Sequence, residues 1–141
     1  MKGRKRHLVV DVLGTVFGCF VSAANLADVN AADAVLVPVL EEFPTIQKVL
    51  ADQGYRGDLG EKLTAAYSCI LEVTVKLGEG FVVAPWRWVV ERTFAWLENA
   101  RRLCRDYEEL PETHEGVIYI AMIRLNLRRL TQNQRRRIKL S

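Results

Sequence analysis

Leu8-Val-Val-Asp-Val-Leu-Gly-Thr-Val-Phe-Gly-Cys-Phe-Val-Ser-Ala-Ala-Asn-Leu-Ala27 is a mostly apolar run near the start of the sequence. It is apolar enough to suggest a membrane span. A spanning helix, however, wants about 20 apolar residues with few or no charges. This run contains Asp11, Gly14, Thr15, Gly18 and Ser22 and is punctuated at Gly14-Thr15. Two β-strands, Leu8–Leu13 and Val16–Ala24, joined by a turn fit it better, since Val and Phe favour strands and Gly favours turns. No small-residue cleavage site follows a compact apolar region, which argues against a signal peptide. The expectation is a cytoplasmic protein with no membrane association.

Around this hairpin the sequence reads as one domain with a modest core. It has 141 residues, half hydrophobic and a quarter charged, as in ordinary globular proteins. Cys19, Cys69 and Cys104 are far apart and have no ligand-like spacing. That pattern disfavours a disulfide framework or a zinc site and predicts small core residues.

After the hairpin, Asn25–Ala32 reads as a polar connection with Asn30 and Asp33 as cap formers. Ala34–Phe43 has helical apolar spacing, interrupted by Pro38. Ile46–Ala51 is a short strand ending at Asp52, and the glycines of Asp52–Gly57 break regular structure. Gly60–Tyr67 reads as a short helix and Cys69–Lys76 as a strand. Leu77–Gly80 turns, Phe81–Ala84 is extended, and Pro85 opens a long helix from Trp86 to about Arg105. A last helix, Glu115–Leu130, with Ile120, Ile123, Leu127 and Leu130 available to the core, follows Pro111, and Thr131–Ser141 is a polar, frayed tail. The fold class is therefore α/β: a hairpin, then alternating helices and strands, then two C-terminal helices.

The net charge of +3 conceals a polarised distribution. Met1–His7 holds four basic residues, and Met122–Ser141 holds seven with no acid. The middle is left with nine basic residues against all 17 acidic ones. Basic ends on an acidic body suit a protein that grips a polyanion at its edges and cations at its centre. Charge alone equally allows solvated ends.

Two carboxylates stand out. On the long helix Arg87, Glu91, Glu98 and Arg102 share a polar strip, opposite a core stripe of Val90, Phe94 and Leu97 flanked by Val89, Trp96 and Leu103. Asp52 follows a strand and precedes a glycine-containing turn, a position where α/β proteins often bind ligands. Each has a plainer reading: a solvated ion-pair face for Glu91, an ordinary turn residue for Asp52.

Four blocks narrow these readings. Lys2–Asp11 (Lys-Gly-Arg-Lys-Arg-His-Leu-Val-Val-Asp), Ala51–Gly57 (Ala-Asp-Gln-Gly-Tyr-Arg-Gly), Trp88–Leu97 (Trp-Val-Val-Glu-Arg-Thr-Phe-Ala-Trp-Leu) and Arg101–Tyr107 occur in this order. Over about Lys2 to Leu130 the chain resembles the DDE-type transposases of short bacterial insertion sequences, which have an RNase H-like catalytic domain. The block around Glu91 is the most distinctive.

The resemblance implies that Asp52 is the second catalytic aspartate, Glu91 the final glutamate and Arg87 the arginine preceding it. It implies Mg2+ or Mn2+ as cofactor, because hard carboxylate oxygens suit these ions. DNA would be the partner, at the element's ends and the target. Lys2, Arg4, Lys5, Arg6, Arg124, Arg128, Arg129, Arg135–Arg137 and Lys139 are the phosphate-contact candidates. Trp86, Trp88 and Trp96 are either core or base-stacking residues. Residues 1–130 would form a truncated catalytic domain and 131–141 a basic tail.

The departures carry equal weight. In the family the first aspartate lies on a central strand upstream of the Lys-Gly-Arg-Lys segment, with a DNA-binding region before it. The expectation is a chain inactive alone that needs an upstream transposase portion, or associates with itself. Asp11 belongs to the following strand and is not the missing ligand. Ala84 replaces a tyrosine of some relatives, and Glu98 stands where a basic residue is common. The rival reading is a non-catalytic DNA-binding remnant or a decayed copy.

Overall fold

A computed structural model describes residues 3–74, 87–105 and 107–140, with side chains for 88–105 and 107–132 in the last two segments. The expectations for Lys2, Leu77–Gly80, Phe81–Ala84, Pro85 and Trp86 lie outside the described residues, as do those for the side chains of Arg87, Arg135–Arg137 and Lys139.

The apolar run is a hairpin. Strand β1 (Arg4–Val10) pairs antiparallel with β2 (Val16–Ala23), with His7 opposite Phe20 and an irregularity after Val9. Asp11 closes the turn: its Oδ1 accepts from the amides of Leu13 (2.9 Å) and Thr15 (2.8 Å). It is a turn residue, and among the described residues it belongs to no metal-holding group of His, Cys, Asp or Glu side chains. β1 begins four residues earlier than the hydrophobicity suggests, because the basic residues Arg4–Arg6 are themselves strand.

Helix α1 (Asp28–Glu42) also starts earlier than expected, after Ala27, without a side-chain cap from Asn30 or Asp33. Pro38 sits on its exposed side and does not end it. Strand β3 (Lys48–Ala51) leads through Asp52 into one 3-10 turn, Gln53–Tyr55. Helix α2 (Leu59–Tyr67) returns the chain to β4 (Ile70–Val73), which runs parallel to β3 with Lys48 opposite Ile70. Helix α3 (Arg87–Glu98) is shorter than predicted, since Asn99–Arg105 forms turns anchored by Ala100 N–H on the Leu97 carbonyl. Helix α4 (Pro111–Leu140) begins at proline, which suits a first helical turn, and its backbone stays helical through the segment read as a tail.

Alternation along the hairpin sorts its side chains onto two cores. Val9 and Phe20 face α1, where Ala32, Val35, Leu36 and Leu40 join Leu59, Leu63 and Cys69. Leu8, Val16, Cys19 and Val21 face the other way, onto Leu97, Leu103, Ile118 and Met122. The hairpin is thus a middle layer between α1 on one side and α3 and α4 on the other, a mixed α/β arrangement. Among the described residues the strands form two separate two-stranded sheets.

Three packing expectations change. The buried side of α3 is Val89, Thr93 and Leu97; Val90 and Phe94 are only partly covered. On α4 the core is met by His114, Ile118 and Met122, whereas Ile120, Ile123, Leu127 and Leu130, read as available to the core, are 57–68% exposed. Of the cysteines, Cys69 is buried, Cys19 is partly covered and Cys104 is exposed. Among the described residues no helix is long and apolar enough to cross a membrane.

Candidate functional site

Asp52 stands where β3 gives way to the 3-10 turn. It is exposed, and its Oδ1 accepts the Gly54 amide at 3.0 Å, an N-cap that fixes one carboxylate oxygen. The Tyr55 amide also bonds the Asp52 carbonyl at 3.2 Å, so the turn closes tightly on its own first residue.

Gly54 lies in a crowded place between two carboxylates. A Cβ there would lie 2.6 Å from Asp28 Oδ2 and 3.2 Å from Asp52 Oδ1. A second carboxylate, Asp28, therefore adjoins the same turn, which sequence reasoning missed. Its only sequence signal is an acid at a helix start, and that is common. Lys5 holds it in place, with Nζ 3.2 Å from Asp28 Oδ1 and 3.0 Å from the Leu26 carbonyl.

The turn is tied to the hairpin through His7. His7 is 3% exposed; its Nδ1 lies 2.9 Å from the Tyr55 hydroxyl and its Nε2 2.9 Å from Ser22 Oγ. Burial lowers the pKa of His7, with Asp28 opposing and Lys5 adding to the shift. Burial, with the charges of Asp28 and Asp52, pushes the Tyr55 phenol up to about 12. Both rings therefore stay neutral at neutral pH.

Glu91 lies on the exposed side of α3. The helix is set against the hairpin turn by its neighbours: Thr93 Oγ1 donates to the Gly14 carbonyl at 3.0 Å, and Arg92 to the Leu13 carbonyl at 3.1 Å. Gly14 has φ +82°, and a Cβ there would press on Thr93 Oγ1 at 2.7 Å. Arg92 also lies between the Trp88 and Trp96 rings, 4.5 and 4.6 Å from their centroids.

The turn carrying Asp52 is tied to the hairpin through Tyr55 and His7, and the helix carrying Glu91 through Thr93 and Arg92. Among the described residues no group of three or more His, Cys, Asp or Glu side chains is placed to hold a metal ion. The donor chemistry of Asp52 and Glu91 suits a hard divalent cation, but the described residues do not supply a three-ligand set. The shallow apolar depression lined by Gly60, Glu61, Thr64, Ala65, Ile70 and Leu71 includes neither carboxylate.

The basic candidates divide. Arg4 Nη1 donates to the Glu108 carbonyl at 2.7 Å and its other terminal nitrogen to Glu109. Arg6 donates to the Leu103 carbonyl at 2.6 Å, and Lys5 serves Asp28. These three residues tie the hairpin to its flanking segments. On α4, Arg124 and Arg128 are exposed, while Arg129 lies 4.1 Å over the Trp96 ring. Arg102, predicted to share the face of Glu91, lies beyond the helix and pairs with Glu108 at 2.7 Å.

Residues 49–128 match the profile of a family described as transposase DDE domain. The chain is also 30% identical, over 124 residues, to a protein of Burkholderia cepacia carrying the name transposase for insertion sequence element IS402. That alignment covers 79% of this chain and 57% of that protein, so the chain spans little more than half of its relative's length. No solved structure matches the chain significantly.

Proposed function

The chain belongs to the transposase DDE-domain family, and from that premise we propose that it is part of an enzyme that cuts and joins DNA at the ends of a bacterial insertion sequence, in an RNase H-like domain. The observation that carries this reading is the extent of the family match: residues 49–128 include both Asp52 and Glu91.

In the proposed reaction a water oxygen, and later a 3′-hydroxyl, attacks a phosphodiester in line. One P–O bond forms as the opposite one breaks, and the leaving oxygen takes up a proton. Asp52 and Glu91 would hold Mg2+ or Mn2+. Divalent ions held there would supply Lewis-acid activation of the attacking oxygen and charge stabilisation of the leaving one. The protein's own contribution is positional. Gly54 N–H orients one oxygen of Asp52, and Thr93 and Arg92 seat the helix that carries Glu91. Arg87 is assigned to a phosphate, which a guanidinium can hold bidentately.

DNA would meet the molecule along α4 and the start of β1. Because Arg4, Lys5 and Arg6 serve internal acceptors, the exposed Arg124 and Arg128 are the stronger phosphate contacts of the set. Arg129 and Lys2 complete it.

A second reading, a non-catalytic DNA-binding remnant, is favoured by the lack of a three-ligand cluster among the described residues. Cleavage of insertion-sequence end DNA in Mg2+ or Mn2+ separates the two. The catalytic reading expects cleavage once an upstream segment supplies the first aspartate. That activity should fall to background in Asp52→Asn and Glu91→Gln. Cleavage that survives both substitutions would overturn it, and DNA binding without cleavage in the extended protein would favour the remnant.

A further inference from the structure

We propose that His7 is a positioning residue for Asp52, acting through Tyr55 and anchored by Ser22. The inference rests on the reading of Asp52 as a catalytic carboxylate, but its geometry stands apart from that reading.

The connection can be followed atom by atom. Ser22 Oγ lies 3.3 Å from the Ala23 carbonyl, to which its hydroxyl donates. Its oxygen is then left to accept from His7 Nε2–H at 2.9 Å. This makes Nδ1 the unprotonated nitrogen of a neutral ring, and it accepts the Tyr55 O–H at 2.9 Å. Tyr55 in turn donates its backbone N–H to the Asp52 carbonyl, and Gly54 donates to Asp52 Oδ1. Every polar group along the path has a partner, in the one direction that satisfies them all.

His7 and Ser22 are 3% and 4% exposed, and burial of this kind costs free energy unless the groups are hydrogen-bonded. A leucine at position 7 would serve the core at less cost. What histidine adds is an acceptor aimed at Tyr55, and Tyr55 belongs to a three-residue turn with no buried residue of its own. On the turn's other side stands Asp28, held by Lys5 and close enough that a Cβ at position 54 would press on its Oδ2 at 2.6 Å. The turn carrying Asp52 is thus gripped from two sides by residues of β1: His7 through Tyr55, and Lys5 through Asp28.

The test uses the 141-residue chain and needs neither DNA nor metal, so its outcome is separate from that of the transposase reading. In the unaltered protein, nitrogen-15 shifts of His7 should show Nδ1 unprotonated and Nε2 protonated at pH 7; the reverse tautomer would overturn the proposal. In Tyr55→Phe, amide exchange at Gly54 should rise about fivefold, the factor set by loss of one ordinary hydrogen bond, with hairpin amides unchanged. Gly54 exchange that is unaltered, or that rises only in step with the hairpin amides, would show that His7 merely fills the core. His7→Gln, which keeps one donor and one acceptor, should exchange more slowly at Gly54 than His7→Leu. Equal rates in the two variants would also count against the proposal.

Discussion

Gly18 is a point of close approach between the middle layer and α1. A Cβ there would lie 2.5 Å from Val39 Cγ2 and 3.1 Å from the Val35 carbonyl. The valine tip can rotate away, but the carbonyl belongs to the helix backbone. Gly18→Ala is therefore an overpacking change, expected to cost about 1–3 kcal/mol, read as a lower urea midpoint with the m-value preserved. His7 sets a second expectation. Its folded-state pKa lies below the ordinary 6.5, chiefly through burial, so the unfolded chain binds its proton more readily. The stability this neutral ring supports is complete above about pH 6.5 and declines as pH falls through that value toward the lowered pKa. Urea midpoints at pH 7 and pH 5 should differ more for the unaltered chain than for His7→Gln. Equal differences would place the pH dependence in other groups. Neither residue announced itself in the sequence: Gly18 was one of several polar or small residues interrupting an apolar run, and His7 closed a basic segment.

The basic end of α4 sets the expectation at the scale of elements. If it lies along phosphates, deleting residues 133–141 removes Arg135, Arg136, Arg137 and Lys139. The plot of log affinity against log salt should flatten by about 3 to 4 units for duplex DNA. An unchanged slope would move the contact surface elsewhere. The elements also show what the sequence discloses. Its hairpin, its β3–turn–α2–β4 succession and its two last helices were legible, because valine-rich runs, glycine breaks and a proline at a helix start act locally. The boundaries that moved depend on tertiary contacts. Arg4 and Arg6 are strand residues because the Glu108, Glu109 and Leu103 carbonyls receive their guanidinium groups across the fold. The seam of α4 that enters the core was misjudged because two apolar stripes compete on one helix, and only β2 decides between them. The Val21 amide, bonded to Glu115 Oε1 at 2.8 Å, fixes that choice.

At the scale of the whole molecule, the strands among the described residues form two separate two-stranded sheets. In the proposed domain a strand bearing the first aspartate lies between the hairpin and β3, uniting four strands into one sheet. Such a strand would satisfy backbone groups along β1 and β3, and open edges of this kind otherwise invite pairing with other chains. It would also supply the carboxylate that turns Asp52 and Glu91 into a three-ligand set. That Asp52 and Glu91 were singled out from sequence, while Asp28 was not, reflects their motif context: nothing local marks an acid that matters only because a distant glycine touches it. If Asp52 and Glu91 serve one divalent site, as proposed, paramagnetic broadening by Mn2+ reports it. Titrating Mn2+ into a protein that also includes the proposed first-aspartate strand should broaden the amide signals around Asp52 and those around Glu91 at the same metal concentration. Asp52→Asn should weaken both effects. Broadening confined to one carboxylate, or two sites that fill independently and respond only to their own substitution, would contradict the account.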